Sequence, residues 1–202
     1  MNPLFKCARG LLPALLLILP AAISARAAEL PGESIYRLPV TLVDQDGREF
    51  RLGDRRGGPQ LVSMFYTSCQ YACPLIIETL KKTQRALRST NSSPPQVLLV
   101  SLDPERDTPA RLKQVYAERK LDSSSWTLAR TDPANVRKLA AVLDIQYRVL
   151  ANHDINHSTA LVLLDADGRM VARTDKIGDV DPGFVAAVRQ VLVSRTIQKG
   201  SR

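Results

Sequence analysis

The most constraining stretch of the sequence is an almost wholly apolar run at residues 61–66, followed at once by a turn that contains two cysteines. A run of six residues is too short for a buried helix but suits a strand covered on both faces of a sheet. After the turn, apolar residues recur about every 3.6 positions over residues 75–87, which predicts a helix. A strand, a turn and a helix in this order predict an α/β protein with parallel strands.

The alternation of strands and helices continues along the chain, and a β-hairpin is predicted at each end. The N-terminal hairpin covers residues 38–52 and the C-terminal hairpin covers residues 159–174. Further strands are predicted at residues 97–102 and near residue 147. Three further helices begin where a capping residue precedes a proline, at Thr108-Pro109, Asp132-Pro133 and Asp181-Pro182.

This order of elements predicts a thioredoxin-like fold with an added N-terminal β-hairpin and a C-terminal β-hairpin. The cysteine turn would lie at the carboxyl end of the first central strand, where open α/β sheets bind ligands. The predicted domain covers residues 36–197, after a linker at residues 28–35 and before a flexible tail at residues 198–202.

Residues 1–27 have the organisation of a secretory signal peptide. Lys6 and Arg9 precede an apolar run at residues 11–23, and the sequence Ala25-Arg26-Ala27 fits a cleavage site of the A-x-A type. The pattern predicts export, with the periplasm as the destination. An uncleaved leader that anchors the protein in the membrane is the alternative.

The charge of the chain excludes one class of partner. The formal net charge is +8, and three basic residues of the leader account for part of it, so that +5 remains after residue 27. These charges are scattered among acidic residues, without the basic stripe or the recognisable module that nucleic-acid binding requires. We therefore expect no binding to nucleic acid.

Cys69 and Cys73 are four residues apart at the start of the predicted helix. Unpaired N–H groups and the positive end of the helix dipole lower the pKa of thiols at such a position. A structural disulfide would close a loop of about five residues and contribute about 2 kcal/mol, which makes a purely structural role a weak explanation. The two cysteines are candidate metal ligands or, alternatively, a redox pair.

His157 is the third candidate ligand. It lies in a predicted loop with His153, directly before the strand at residues 159–164, and this loop faces the cysteine turn in a thioredoxin-like topology. Thioredoxin-fold enzymes typically carry a cis-proline there, whereas this chain has no proline between Ala151 and Asp181. His153 has no comparable placement.

Two thiolates and one imidazole form a soft, three-coordinate site that favours copper, as Cu(I), Cu(II) or both. A structural zinc site would need a fourth protein ligand, and a catalytic zinc with an open position stays open as an alternative. Asp103 and Asp107 have two interpretations. In the first, Asp103 ends a strand and Asp107 or Thr108 caps the next helix. In the second, the two aspartates form an acidic rim near the copper turn that orients a partner or tunes the metal without binding it.

Four motifs resemble those of the Sco/SenC family. They are CQYACP at residues 69–74, DPERDTP at residues 103–109, HS at residues 157–158 and DADG at residues 165–168. The resemblance covers roughly residues 36–195 and implies a thioredoxin-like fold with Cys69, Cys73 and His157 as copper ligands.

The resemblance also implies a function and partners. Family members serve the assembly of the dinuclear copper centre of cytochrome c oxidase, by delivering copper, by reducing the cysteines of that centre, or by both. A copper metallochaperone, rather than an enzyme, is the leading hypothesis, with a cytochrome c oxidase subunit as client and an upstream copper donor. The alternative is a metal-independent thiol–disulfide oxidoreductase that uses Cys69 and Cys73.

Overall fold

The computed structural model describes residues 29–87 and 94–200, so the predicted signal peptide lies outside the described residues. Within the described segments the chain forms nine strands: β1 (Thr41–Asp44), β2 (Glu49–Arg51), β3 (Gln60–Phe65), β4 (Gln96–Ser101), β5 (Trp126–Arg130), β6 (Tyr147–Val149), β7 (Ile155–His157), β8 (Leu161–Leu164) and β9 (Met170–Thr174). The same segments contain four α-helices: α1 (Ala72–Leu87), α2 (Pro109–Glu118), α3 (Pro133–Val142) and α4 (Pro182–Gly200). Two short 3-10 helices lie at Ile35–Arg37 and Leu52–Arg55.

Seven strands form one sheet in the order β2-β1-β5-β4-β3-β8-β9. Strands β3, β4 and β5 run parallel, whereas the β1–β2 and β8–β9 hairpins add antiparallel strands on the two sides. All six residues of β3 are buried, as expected for a strand that is covered on both faces. The predicted α/β fold with a hairpin at each end is confirmed.

Strand β5 was not predicted. It pairs with β4 on one side and with β1 on the other, and so joins the N-terminal hairpin to the parallel strands. Its sequence is WTLAR, in which Thr127 and Arg130 are half-buried while the other three residues are buried. A five-residue stretch without an apolar run or regular alternation gives no periodic signal.

Helix α1 begins at Ala72, three residues before the predicted start. The first four N–H groups of a helix have no partner within it, so Pro74 in the first turn removes no hydrogen bond. Cys73 is therefore part of the helix. The apolar periodicity from residue 75 onwards places Leu75 on the buried face of the helix. In the structure Leu75 is 44% exposed, and Ile77 packs into the core instead.

The predicted loop with both histidines contains a second, two-stranded sheet. Strands β6 and β7 pair with each other outside the main sheet, and His157 at the end of β7 lies opposite Tyr147. We call residues 147–157 the histidine hairpin. The strand predicted near residue 147 corresponds to β6, whereas β7, with three residues, is too short for detection by hydrophobic periodicity. His153 lies in its turn with a φ of 63°.

The end of the predicted linker packs against the C-terminal hairpin. Ser34 and Ile35 are buried, and the Ile35 amide donates to the Gly168 carbonyl at 3.0 Å. Gly168 has a φ of 80°, and a Cβ there would lie 2.5 Å from the Tyr36 ring, so glycine is required. The domain boundaries stay predictions. In the described residues, no helix combines the length and apolar character needed to cross a membrane.

Candidate metal centre

The three predicted ligands lie together at the carboxyl end of β3. The thiol sulfurs of Cys69 and Cys73 and a ring nitrogen of His157 all lie within 4.8 Å of one another. Among the described residues this is the one group of metal-ligating side chains placed to hold a single ion, and His153 is not part of it. The spatial relation expected from the sequence is confirmed, whereas the role of these residues as ligands stays a proposal.

Cys69 lies before the first turn of α1 and is half-buried. The Sγ of Cys69 accepts a hydrogen bond from the backbone N–H of Cys73 at 3.3 Å, as a helix-capping side chain would. A hydrogen bond from the Cys73 thiol lowers the pKa of Cys69 to about 3, against the opposing effect of burial. Cys69 is therefore a thiolate at neutral pH.

Cys73 lies in the first turn of α1 and is only 2% exposed. The Tyr66 amide donates to its Sγ at 3.4 Å. The hydrogen bond to the Cys69 thiolate, together with burial, raises the pKa of Cys73 far above that of an ordinary thiol. The pair thus loses one proton readily and keeps the second, and a bound cation is what would stabilise the second thiolate.

This pairing predicts the pH dependence of Cys69 reactivity. A lowered pKa keeps the thiolate form populated at every pH above about 3, so alkylation of the metal-free protein by iodoacetamide should vary little between about pH 5 and pH 8. An ordinary thiol with a pKa of about 8.5 loses about tenfold in rate per pH unit over that range. Urea-unfolded protein is the control, and an equally steep dependence in the folded protein contradicts the assignment.

His157 is oriented by the main chain beside it. Its Nδ1 lies 3.0 Å from the Ser158 carbonyl oxygen, which can only accept, so Nδ1 carries the proton. The other nitrogen, Nε2, then presents its lone pair at 3.8 Å from the Cys73 sulfur. The Tyr66 ring packs edge-on against the imidazole, with ring centroids 5.9 Å apart. Metal-ligating histidines commonly have this arrangement, with the second nitrogen bound to an acceptor.

The spacing of the donors suits a single soft ion. With metal–sulfur and metal–nitrogen bonds of about 2.3 and 2.0 Å, a three-coordinate ion separates sulfur and nitrogen by about 3.7 Å. Cys73 Sγ and His157 Nε2 are 3.8 Å apart. Thiolates select Cu(I), and imidazole suits both copper oxidation states. The donor set and its spacing therefore support the copper prediction.

An open cleft lies beside the cysteine turn. It has a volume of about 470 Å³, and its lining includes Cys69, Gln70, Arg111 and Arg119. Tyr71, in the cysteine turn, is 83% exposed. Cys69 is therefore half-exposed at a surface that a partner protein can reach, whereas Cys73 lines the same cleft but is buried.

The structure decides between the two interpretations of the DPERDTP motif: Asp103 follows the end of β4, as the first interpretation has it, and one of its two candidate caps is correct. Thr108, and not Asp107, caps α2, and Asp107 is fully buried, so it forms no acidic rim. Its carboxylate accepts from Thr67, two residues before Cys69. Asp103 pairs with Arg106.

The backbone groups that contact the site were not predicted from the sequence. These are the N–H groups of Tyr66 and Cys73 and the carbonyl of Ser158. Backbone groups are common to all residues and leave no pattern in the sequence.

Comparison with known proteins places this site in a family. A sequence model of SCO1/SenC matches residues 29–192. The chain belongs to the SCO1/SenC family. Sco relatives include the mitochondrial SCO2 homologue of Bos taurus, 31% identical over 183 residues, which cover 83% of this chain and 66% of the relative. The SCO1 protein homologue of Bacillus subtilis is 24% identical over 136 residues, or 66% of this chain and 70% of the relative.

A solved member of the SCO1/SenC family supports the same fold. The structure of Bradyrhizobium japonicum ScoI with copper bound superposes with a TM-score of 0.62 at 25% identity, and covers 77% of this chain and 98% of ScoI. The family relationship inferred from four motifs is confirmed.

Proposed function

We propose that this protein binds one copper ion through Cys69, Cys73 and His157 and delivers it to a respiratory copper centre. The observation that carries this proposal is the convergence of two thiols and the free Nε2 of an oriented imidazole within 4.8 Å. Membership of the SCO1/SenC family and the copper-bound ScoI relative support copper as the ion.

The arrangement of the sulfurs suggests how copper is bound and passed on. Cys69 is already a thiolate and offers the first contact, and Cys73 releases its proton to solvent when the positive ion arrives. Cys69 lies at the cleft and is only half-buried, whereas Cys73 is buried. A thiolate or imidazole of a partner protein can therefore replace Cys69 on the copper ion before it replaces Cys73. Copper leaves without a change of oxidation state, and the two thiols regain one proton between them.

The family and the predicted leader support a proposal for the client and the compartment. We infer that the client is the cytochrome c oxidase subunit with the dinuclear copper centre, and that a second protein supplies the copper. Thiol ligands must be reduced to bind metal, so the site requires protection from oxidation in an oxidising compartment such as the periplasm.

A second candidate function is thiol–disulfide exchange. A half-exposed thiolate next to a buried thiol is the arrangement of an attacking and a resolving cysteine. In this reaction Cys69 attacks a client disulfide and releases one client thiolate, which takes up the Cys73 proton. The Cys73 thiolate then attacks Cys69 Sγ and displaces the second client thiolate, and the Cys69–Cys73 disulfide forms. The client is reduced by two electrons that the protein loses.

A transfer experiment separates the two functions. Cu(I)-loaded protein is mixed with the reduced, metal-free copper domain of the host's oxidase subunit, and copper is measured on each after separation. We expect copper to move to the client, whereas His157→Ala protein, desalted to remove weakly bound copper before mixing, should carry none to transfer. Copper that stays on the donor contradicts delivery. Equal reduction of an oxidised client by wild type and His157→Ala, without metal transfer, establishes the exchange function.

A further inference from the structure

The segment between β4 and α2 contacts the two parts of the chain that carry the proposed ligands. Residues 103–108 form the turn that leads from β4 into α2. From this turn Asp107 reaches the residues that precede the cysteines, and Arg106 reaches the turn of the histidine hairpin. The side chains of these two adjacent residues therefore reach the cysteine turn and the histidine hairpin, respectively.

Asp107 fixes the start of the cysteine turn. Its carboxylate accepts from the Thr67 amide at 3.1 Å, and from the hydroxyls of Thr67 and Ser101. The side chain is fully buried, and such charge-assisted hydrogen bonds are roughly twice as strong as neutral ones. The turn from β3 to α1 is therefore tied to the end of β4 two residues before Cys69.

Arg106 fixes the histidine hairpin. Its Nη2 donates to the His153 carbonyl at 2.5 Å, and its Nε pairs with the carboxylate of Asp103, which is 9% exposed. The hairpin pairs only β6 with β7 and takes no place in the seven-stranded sheet. At its base, the Ser158 amide donates to the Gln146 carbonyl at 2.8 Å. Arg106 therefore supplies an anchor at the opposite end, in the turn.

We propose that Asp107 and Arg106 are positioning residues that hold the cysteine turn and the histidine hairpin at the separation required by one metal ion. Neither touches the ion, since Asp107 acts through Thr67 and Arg106 through the backbone of His153. The inference rests on the proposed copper site. It assigns to the DPERDTP motif a part in metal binding that helix capping does not explain.

The test compares Asp107→Asn and Arg106→Gln with matched controls. Glu105→Gln and Arg137→Gln remove the same charges at exposed positions beside the segment. Asp107→Asn and Arg106→Gln should each weaken Cu(I) binding by about tenfold, the loss expected for one charged hydrogen bond. The two controls should stay within about twofold, as surface substitutions do. Equal affinity of Asp107→Asn, Arg106→Gln and wild type overturns the proposal.

A double-mutant cycle distinguishes positioning from a general loss of stability. Because Arg106 acts through His157, Arg106→Gln should have no further effect on Cu(I) affinity in a His157→Ala background. Asp107→Asn should keep its effect there, since it acts on the cysteines. If Arg106→Gln is as costly in the His157→Ala background as in wild type, Arg106 does not position the imidazole.

A measurement on metal-free protein keeps the inference separate from the proposed function. Amide exchange should accelerate at residues 66–69 in Asp107→Asn and at residues 147–157 in Arg106→Gln, and not the reverse. If Asp107→Asn fails to fold, Thr67→Val removes the hydroxyl donor to the same carboxylate and should give the same local change. Wild type that binds no copper refutes the proposed function, whereas unchanged exchange in both variants refutes the positioning roles.

Discussion

Replacement of His157 by alanine should lower the affinity of the reduced protein for Cu(I) by more than about a hundredfold. Loss of an outer partner of a ligand costs roughly 10–100-fold in metal affinity, and the loss of a ligand itself should exceed that. His157 supplies the one nitrogen donor of the cluster, and its Nε2 is already directed at the Cys73 sulfur. The measurement is an anaerobic titration in competition with a chromogenic Cu(I) chelator.

His153→Asn is the matched control for this titration, because asparagine tolerates the φ of 63° that His153 adopts. His153 lies four residues away in the same hairpin, but outside the donor cluster, and the protein contacts it through its carbonyl. Its replacement should leave Cu(I) affinity unchanged. Equal affinities of His157→Ala and wild type would remove the imidazole from the site and leave the cysteine pair as a redox pair.

Oxidation of Cys69 and Cys73 to a disulfide should abolish tight copper binding. Metal binding requires thiolates, and the disulfide removes both sulfur donors at once, so that His157 alone remains of the cluster. The measurement is the copper stoichiometry of reduced and oxidised samples after removal of weakly bound metal. We expect one copper per reduced protein and none per oxidised protein.

Re-reduction of the oxidised sample is the control in this experiment, since it should restore the full stoichiometry if the oxidant has changed the cysteine pair alone. Retention of copper by the oxidised protein would show that the sulfurs are not ligands. The same comparison bears on regulation, because a site that loads only in the reduced state couples copper delivery to the redox state of its compartment.

The parts of the fold that were predictable are those with a local physical signature. The apolar run of β3 and the Thr108-Pro109 and Asp132-Pro133 helix starts each reflect an interaction within a few residues. Strand β5 has no such signature, because its five residues are held by pairing with β1 and β4. The start of α1 at Ala72 was missed because the apolar periodicity begins only at residue 75; Pro74 fits the first turn, where its missing N–H has no partner.

The same distinction applies to the metal centre. Cys69, Cys73 and His157 were predictable because their residue types have strong metal chemistry and their elements meet at one edge of the sheet. The burial of Asp107 and the attachment of Arg106 to His153 were not, since both depend on how β4 and the histidine hairpin pack. A carboxylate before a proline-started helix has the same sequence pattern whether it caps that helix or supports a neighbouring turn.

X-ray absorption at the copper edge of the reduced, copper-loaded protein tests the central claim most directly. The measurement counts the atoms bound to the ion and separates sulfur from nitrogen donors. The site predicts one copper with two sulfur neighbours and one imidazole nitrogen, and loss of the nitrogen signal in His157→Ala. A spectrum with no sulfur neighbour, or with sulfur alone in wild type, would contradict a centre formed by Cys69, Cys73 and His157.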